Sequence, residues 1–401
     1  MASDSIPGKI KTVALPLTEG AIEVSVVMPC LNESRTVAAC IRQALGALDR
    51  AGIRGEVVVG DNGSNDGSRE ISLNAGARVV PVRRRGYGAA VRQAVSAARG
   101  HFVVMGDSDG SYDFTQVSRL IEKLREGFDL VIGNRFEGRI EPGAMPPLNR
   151  YVGNPLLTWL GRMLFKSPVG DFHCGLRAFR KAAITRLNLQ TEGMEFASEM
   201  IVKATLFGLR IAEVPTTLAP EAPARASHLR PLRDGWRHLR FLLLYSPRWL
   251  FLYPGIALMV LGVLLGGWLL PGPRTVRGVT LDIHTLLFAA MAILVGFQSI
   301  NFAAFTKIFG VTEGLLPEDP RLNRVFRYVT LETGIAVGAL LVLSGVAMWA
   351  VGLTDWSRAH FGPLDPARML RIVIPGIVSL TLGFEVILSS FFLSVLGMAR
   401  K

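Results

Sequence analysis

The stretch His101-Phe-Val-Val-Met-Gly-Asp-Ser-Asp-Gly-Ser-Tyr-Asp113 joins a short apolar run to a loop that carries three carboxylates. The run predicts a buried strand over Phe102–Met105. Asp107, Asp109 and Asp113 follow in the loop, and carboxylates this close repel one another unless a positive charge lies between them. A divalent cation usually supplies that charge, so the stretch predicts a metal-binding loop at the end of a strand.

The rest of the first half of the chain alternates between short apolar runs and longer polar segments. The runs predict four more strands, at Val24–Met28, Glu56–Gly60, Arg78–Pro81 and Asp129–Ile132. Helix-length segments lie between strands, at Ser34–Asp49, Ala89–Arg99 and Thr115–Glu126. This alternation predicts an α/β domain with a mainly parallel sheet, in which ligands bind at the carboxyl ends of the strands.

Two further strands are followed by polar loops, Pro29-Cys-Leu-Asn-Glu33 and Asp61-Asn-Gly-Ser-Asn-Asp-Gly-Ser68. Each loop alone is compatible with ordinary turn chemistry, but three of them at neighbouring strand ends converge on one crevice. Transfer from a nucleotide sugar fits this set, because Asp107 and Asp109 can hold a hard cation that neutralises a diphosphate leaving group. Glu33 and Asp61 can accept hydrogen bonds from ribose hydroxyls or from a base N–H.

The whole chain is too apolar for an ordinary soluble enzyme. Its 401 residues are 50% hydrophobic and 19% charged, with a mean hydropathy of +0.35. Four apolar blocks, at about 250–270, 283–306, 329–353 and 372–396, can each cross a hydrocarbon core of roughly 30 Å. The net charge of +12 suits phosphorylated substrates and anionic lipid. We expect no nucleic-acid partner, because the arginines lack interleaved aromatic residues.

These patterns divide the chain into four parts. We expect an N-terminal tail at 1–22, a catalytic domain at 23–225, a basic interfacial helix at 226–249 and an all-α transmembrane domain of four helices at 250–401. Basic residues in the 307–329 connection and at the C-terminus favour a cytoplasmic catalytic domain. We therefore expect an integral, multi-pass protein of a bacterial-type inner or plasma membrane.

Three motifs carry a family resemblance: PCLNES at 29–34, GDNGSNDGS at 60–68 and MGDSDGSYDF at 105–114. They resemble the inverting family 2 glycosyltransferases with a GT-A fold, and more narrowly the dolichol-phosphate mannosyltransferase-like polyprenyl-phosphate glycosyltransferases. The similarity runs from about Val24 to Phe251. It implies a Rossmann-like GT-A catalytic domain, a nucleotide-sugar donor, a polyprenyl phosphate acceptor in the lipid bilayer, and Mg²⁺ or Mn²⁺.

The resemblance also implies roles at the donor site. Asp107 would bridge ribose or diphosphate and metal, and Asp109 would be the main metal ligand. Well-known members have a Gln two residues after the second Asp, where this chain has Ser111; Ser111, Asp113 or water is therefore the third ligand. The expected nucleotide-sugar contacts are Pro29, Leu31, Glu33, Asp61, Arg85, Gly86, Asp107 and Ser108.

Arginines are expected to bind the phosphates. Arg83-Arg-Arg-Gly-Tyr-Gly88 is either a phosphate clamp or a solvated turn. Related enzymes place an arginine like Arg135 on the acceptor phosphate. They also use a mobile loop over the phosphates, here carrying Arg225, Ser227 and His228.

Two further family motifs, Asp171-Phe-His-Cys-Gly-Leu-Arg177 and Gly193-Met-Glu-Phe-Ala-Ser-Glu199, add charged groups to the site. A lipid phosphate is already anionic and needs no general base. We interpret Asp171 and Glu195 as site-shaping groups that orient Arg177 or the sugar, with a catalytic base as the alternative. The predicted catalytic set is Asp107, Asp109, Arg135, Asp171, Arg177 and Glu195.

Two other functions compete with lipid-linked sugar synthesis. A membrane glycosyltransferase with a hydroxyl acceptor, such as a polysaccharide synthase, would carry Gln-x-x-Arg-Trp, but the Gln is missing before Arg248-Trp249. A non-catalytic scaffold would not need Asp107 and Asp109. The sequence leaves open the sugar and the choice between UDP and GDP. A homo-oligomer, a tetramer by analogy with related enzymes, is a further expectation.

Overall fold

The computed structural model describes residues 21–220, 231–320 and 330–398. The chain divides into two compact units, Met1–Tyr245 and Ser246–Lys401.

The first unit is built on a seven-stranded sheet with the order β3-β2-β1-β4-β6-β5-β7. Its strands are β1 Val24–Cys30, β2 Gly55–Asp61, β3 Arg78–Pro81, β4 Phe102–Met105, β5 Leu130–Ile140, β6 Arg177–Arg180 and β7 Ile211–Leu218. Strands β1 to β4 pair in parallel, as do β5 and β7. Strand β6 runs antiparallel to both neighbours, β4 and β5. The predicted mainly parallel α/β sheet is confirmed, with one reversed strand.

Helices of this unit cover the sheet. They are α1 Val37–Arg50, α2 Ser68–Asn74, α3 Tyr87–Ala97, α4 Val117–Arg125, α5 Asn154–Phe165, α6 Lys181–Thr185, α7 Phe196–Leu206 and α8 Pro231–Leu244. Helix α4 shows why such segments fold: Val117, Leu120, Ile121 and Leu124 are buried and recur at helical spacing. They join the sheet in one core, whose strands β1 and β4 are almost wholly buried.

Two strands of the seven-stranded sheet were not predicted from the sequence, for local reasons. Strand β6 is four residues long and begins and ends with arginine, so it lacks an apolar run. Strand β7 contains Pro215, which argues against a central strand. Because β7 lies at the edge of the sheet, the missing N–H of proline is tolerated there.

The second unit consists of long apolar helices: α9 Tyr253–Leu269, α10 Ile283–Thr312, α11 Leu331–Arg358 and α12 Pro366–Met398. A short hairpin, β8 Arg274–Val276 with β9 Val279–Leu281, precedes α10. Four helices, at Arg248–Leu269, Ile283–Thr312, Leu331–Arg358 and Pro366–Gly397, are long and apolar enough to cross a membrane. The four predicted spans are thus present as apolar helices, the first close to its predicted length and the other three longer than predicted.

Close contacts between glycines join α11 and α12. Helix α11 buries Gly334, Gly338, Gly345 and Gly352. A Cβ added to Gly338 would lie 2.7 Å from the carbonyl oxygen of Gly383, so the helices approach at backbone distance. Small residues at such crossings are typical of helix packing in membranes.

One carboxylate, Glu385, lies within the last apolar helix. A carboxylate within a membrane span usually pairs with another polar group, and the sequence offers Gln298 and Asn301 of α10 as possible partners. In the described part of the chain, Oε2 of Glu385 and Nδ2 of Asn301 are each buried without a hydrogen-bond partner. The suggested bond from Asn301 Nδ2 to Glu385 Oε2 is therefore not formed.

Candidate active site

A cavity of about 900 Å³ opens at the carboxyl ends of β1 and β4. This volume lies in the range of small-molecule sites. Of the residues predicted to form the site, those in its wall are Pro29, Leu31, Glu33, Arg85, Gly86, Asp107, Ser108, Asp109, Ser111 and Arg135. Four other predicted residues are described but are not in the wall: Asp61, Asp171, Arg177 and Glu195. Arg225, Ser227 and His228 lie outside the described residues.

The loop after β4 is fixed to the end of β1. Ser108 Oγ donates to the Pro29 carbonyl at 2.7 Å, and Thr36 Oγ1 donates to the Ser108 carbonyl at 2.7 Å. Asp109 Oδ1 accepts the Ser111 N–H at 2.9 Å. These bonds hold Asp107 and Asp109 in the cavity wall, as expected from carboxylates that follow a parallel strand.

Asp107 lies against a second loop that approaches closely. Its carboxylate is hydrogen-bonded to Tyr87. A Cβ added to Gly175 would lie 2.6 Å from Asp107 Oδ2, so a larger residue at this position would displace the carboxylate or the loop. Burial raises the pKa of Tyr87 well above its ordinary value, and the charge of Asp107 raises it further. Tyr87 therefore stays protonated and can donate to Asp107.

Asp113, a predicted candidate for the third metal ligand, is bonded to helix α1 and within its own loop. Its Oδ1 accepts hydrogen bonds from Gln43 Nε2 at 2.9 Å and from the Thr115 N–H at 2.9 Å. It caps the helical turn at Phe114–Gln116. Ser111 lies in the cavity wall. No group of three or more His, Cys, Asp or Glu side chains that could hold a metal occurs among the described residues.

The part of the cavity near Arg85 and Gly86 is shaped by an amide that the sequence did not single out. Asn62 Nδ2 donates to the Arg84 carbonyl at 2.8 Å, and Asn62 Oδ1 accepts the Gly86 N–H at 2.8 Å. It thereby fixes the arginine-rich loop whose members Arg85 and Gly86 line the cavity. Asp61 Oδ1 accepts the Ser64 N–H at 3.1 Å and shapes the loop after β2.

Arg135 and Asp171 form a buried ion pair beside the cavity. Arg135 Nε lies 2.6 Å from Asp171 Oδ2, and Arg135 Nη2 lies 2.8 Å from Asp171 Oδ1. The side chain of Asp171 is 0% exposed and that of Arg135 is 7% exposed. Burial alone would raise the pKa of Asp171, but the Arg135 charge outweighs it and holds this pKa below its usual value. Asp171 therefore orients Arg135, which lines the cavity.

Arg177 has a different environment from Arg135. It is fully buried, and it donates to the backbone carbonyls of Cys174 at 2.8 Å, Ala197 at 2.7 Å and Phe172 at 2.9 Å. It thereby ties the Asp171–Gly175 loop to α7. Glu195 directly precedes α7. In this geometry Arg177 holds backbone in place behind the cavity wall.

Several cavity residues were not predicted from the sequence. They come from three places: Tyr112 in the loop after β4, His173, and the helix α8 residues Arg233, Arg237 and His238. Charge and amphipathicity indicated α8 as a helix at the membrane, but its contribution to the cavity depends on tertiary packing.

Helix α5 and the turn before it carry an exposed apolar face that the sequence analysis also missed. Leu148, Tyr151, Val152, Leu156 and Trp159 are between 51% and 71% exposed. They recur at helical spacing, whereas Thr158, Gly161 and Phe165 face the core. Every charged residue from Gly143 to Val169 is basic. Such a surface is typical of helices that lie at a lipid interface.

A mainly parallel sheet that brings paired aspartates and a buried arginine into one cavity is typical of enzymes that act on nucleotide-linked substrates. Residues 25–187 match the Glycosyl transferase family 2 domain. Residues 304–397 match the Glycosyltransferase family 2 C-terminal transmembrane region. The chain belongs to glycosyltransferase family 2, as the resemblance of its motifs implied, and it carries the transmembrane region of that family.

Relatives with assigned activities support this membership. The chain is 37% identical over 376 residues to the low-salt glycan biosynthesis hexosyltransferase Agl6 of Haloferax volcanii, covering 93% of this chain and 89% of that protein. It is 34% identical over 194 residues to the dolichyl-phosphate hexose transferase of the same organism, covering 48% of this chain and 81% of that protein.

Solved structures are also similar to part of the chain. Glucosyl-3-phosphoglycerate synthase from Mycobacterium tuberculosis, solved in complex with Mg²⁺ and uridine diphosphate, is 26% identical, with a TM-score of 0.44. The match covers 56% of this chain and 78% of that one.

Proposed function

We propose that the protein transfers a hexose from a UDP- or GDP-sugar to polyprenyl phosphate, with inversion, at the cytoplasmic face of the membrane. The observation that carries this proposal is the position of Arg135. This arginine shares one cavity wall with Asp107 and Asp109, and Asp171 clamps it on one edge. A fixed cation at this place suits an anionic acceptor.

The two aspartates fit a divalent cation. Asp107 and Asp109 both line the cavity, and Mg²⁺ is usually held by one or two carboxylates together with substrate phosphates and water. Asp107, Asp109 and Ser111 would hold the ion. When bound, Mg²⁺ or Mn²⁺ would neutralise charge that develops on the diphosphate leaving group.

The reaction is a single displacement. A phosphate oxygen of the acceptor attacks the anomeric carbon on the face opposite the diphosphate, and the bond from that carbon to the diphosphate oxygen breaks. Since the acceptor phosphate is already anionic, no side chain has to remove a proton. Arg135 Nη1 makes no bond to Asp171, because Nε and Nη2 make that contact, and it can therefore bind the incoming phosphate.

The positive charges of α8 extend this site. Arg233 and Arg237 line the same cavity as Arg135. We infer that they attract the anionic acceptor. The name of the relative dolichyl-phosphate hexose transferase supports a lipid phosphate as acceptor.

A donor screen tests the proposal. The full chain in nanodiscs, with Mg²⁺ or Mn²⁺ and undecaprenyl or dolichyl phosphate, is given radiolabelled UDP- and GDP-sugars in turn. We expect label in the organic phase with one donor. Nucleotide-sugar binding without lipid label from any donor would contradict the lipid acceptor.

A matched pair of variants tests the metal site within the same assay. Asp109→Asn should abolish transfer, because it removes a carboxylate from the cavity wall. Asp113→Asn makes the same change in the same loop, but its side chain caps a helical turn instead of lining the cavity. It should therefore retain most activity. Equal loss in both variants would refute the specific role of Asp109.

A further inference from the structure

The loop from Asp171 to Gly175 connects the two charged ends of the cavity. At one end, Asp171 holds Arg135 through Nε at 2.6 Å and Nη2 at 2.8 Å. At the other end, Gly175 lies so close to Asp107 that an added Cβ would be 2.6 Å from Oδ2. The middle of this loop, at His173, therefore lies between the acceptor arginine and the carboxylate at the diphosphate end.

His173 presents unused hydrogen-bonding atoms at this position. Its side chain lines the cavity. Both ring nitrogens, Nδ1 and Nε2, are buried and have no hydrogen-bond partner in the described parts of the chain. Buried polar atoms in folded proteins are almost always bonded, and an exception in a cavity wall points to a ligand atom.

The ring of His173 is held in place although its nitrogens are not bonded. It packs edge-to-face on His238, with ring centroids 4.7 Å apart and an interplanar angle of 86°. The Nδ1 of His238 lies 2.8 Å from Ser198 Oγ, which fixes the second ring in turn. The backbone N–H of His173 donates to Asp171 Oδ1 at 3.1 Å. The imidazole is thus preorganised on the same carboxylate that orients Arg135.

The protonation state of the ring indicates what it binds. Burial lowers the pKa of His173 well below its ordinary value, and burial lowers that of His238 to about 4. A neutral imidazole offers one N–H donor and one nitrogen acceptor. A hydroxyl group both donates and accepts, so it matches this pair, whereas an ionised phosphate only accepts.

We propose that His173 is a specificity-determining residue that hydrogen-bonds a hydroxyl of the transferred sugar, at the point where the sugar lies between Asp107 and Arg135. This inference rests on the proposed function, which places the sugar between the leaving diphosphate and the acceptor phosphate. It adds the residue that distinguishes one sugar from another.

Affinity measurements on the full chain in nanodiscs, with Mn²⁺ present, test this role without an acceptor. Calorimetry compares UDP-glucose with UDP and GDP-mannose with GDP. His173→Phe keeps the aromatic contact with His238 and removes both nitrogens. This variant should lower the affinity for the nucleotide sugar about fivefold to tenfold, which is the effect of losing one neutral hydrogen bond. It should change the affinity for the nucleotide diphosphate by no more than about twofold.

Two variants control the measurement. His173→Asn restores a donor and an acceptor and should recover part of the lost affinity. His101→Phe makes the same ring substitution directly before β4, at the strand end away from the cavity, and should leave both affinities unchanged. A merely structural role of His173 would weaken nucleotide and nucleotide sugar alike, and that result would overturn the proposal.

The same proteins separate this inference from the proposed function. In one outcome, His173→Phe leaves the affinity for the nucleotide sugar unchanged and raises the KM for undecaprenyl phosphate. That result would show that the imidazole contacts the acceptor, and it would overturn the inference. A selective loss of sugar affinity, with no transfer to lipid by the unmodified protein, would support His173 and refute the lipid acceptor. Failure of the unmodified protein to bind any nucleotide sugar would overturn both.

Discussion

Replacing Asp171 by asparagine should destabilise the first unit, because it leaves Arg135 charged and buried. The carboxylate accepts three hydrogen bonds from Arg135, at 3.2, 2.6 and 2.8 Å, and one from the His173 N–H at 3.1 Å. An asparagine of the same shape would turn an NH₂ group towards the guanidinium, so that two donors face each other. Breaking a buried pair from one side costs about 3–5 kcal/mol.

Urea unfolding of the full chain in detergent measures this loss. With a slope of about 3 kcal/mol per molar urea, 3–5 kcal/mol lowers the midpoint by roughly 1–2 M. The control is Glu192→Gln, which breaks an ion pair with Arg84 whose side chains are 77% and 44% exposed. Exposed pairs contribute about 0–1 kcal/mol. A midpoint shift in Asp171→Asn no larger than that in Glu192→Gln would refute the reasoning.

The pH dependence of this effect has a definite sign. The pKa of Asp171 in the folded protein lies below its usual value, because the Arg135 charge outweighs burial. Such a group contributes stability that is fully present above the unfolded pKa of about 3.9 and is lost as pH falls through the folded pKa. The difference in midpoint between the unmodified protein and Asp171→Asn should therefore be constant above about pH 5 and shrink below about pH 4.

Three other perturbations have clear expected outcomes. Gly175→Ala places a Cβ 2.6 Å from Asp107 Oδ2, so it should lower the turnover rate at least tenfold in the donor assay while far-UV circular dichroism is unchanged; normal turnover would show that the loop can move aside. At Gly383 even an added Cβ would lie 2.7 Å from the Gly338 carbonyl oxygen. Gly383→Val should therefore lower the thermal midpoint of the detergent-solubilised protein by several degrees. Gly397 has open space around it, so Gly397→Val should leave the midpoint unchanged. A fluorophore on Leu156→Cys should be quenched by lipid-attached quenchers in nanodiscs and one on Leu73→Cys should not, although both parent side chains are 51% exposed; equal quenching would contradict a lipid contact of α5.

The part of the cavity wall formed by Glu33, Asp107 and Asp109 could be predicted from the sequence because these residues follow the strands directly. Asp107 and Asp109 come right after β4, and Glu33 follows β1. In a parallel sheet those strand ends share one edge, so residues that follow different strands in the sequence lie close together in the fold. The same logic placed Asp61 at this edge, but local turn geometry directs its Oδ1 to the Ser64 N–H.

The part of the site around Arg135 could not be derived in this way, because it depends on packing between distant segments. The sequence predicted that Asp171 orients Arg177 or the sugar, but its partner in the structure is Arg135. Arg177 lies in the same motif, yet it is buried against three backbone carbonyls, and Arg135 reaches Asp171 from 36 positions away. The exposed face of α5 was missed because its polar and apolar residues do not reveal which side faces the core.

The reversed strand β6 explains how the two sides meet. Because β6 runs antiparallel between β4 and β5, it begins at the edge of the sheet where β4 ends and Asp107 follows. The segment just before β6, Asp171–Gly175, must therefore cross the carboxyl edge of the sheet, and it does so between Asp107 and Arg135. A parallel β6 would have brought this loop to the opposite edge. The placement of His173 in the cavity wall thus follows from the direction of one four-residue strand, and we expect substitutions in this loop to alter the choice of sugar while Asp107 and Asp109 stay in place.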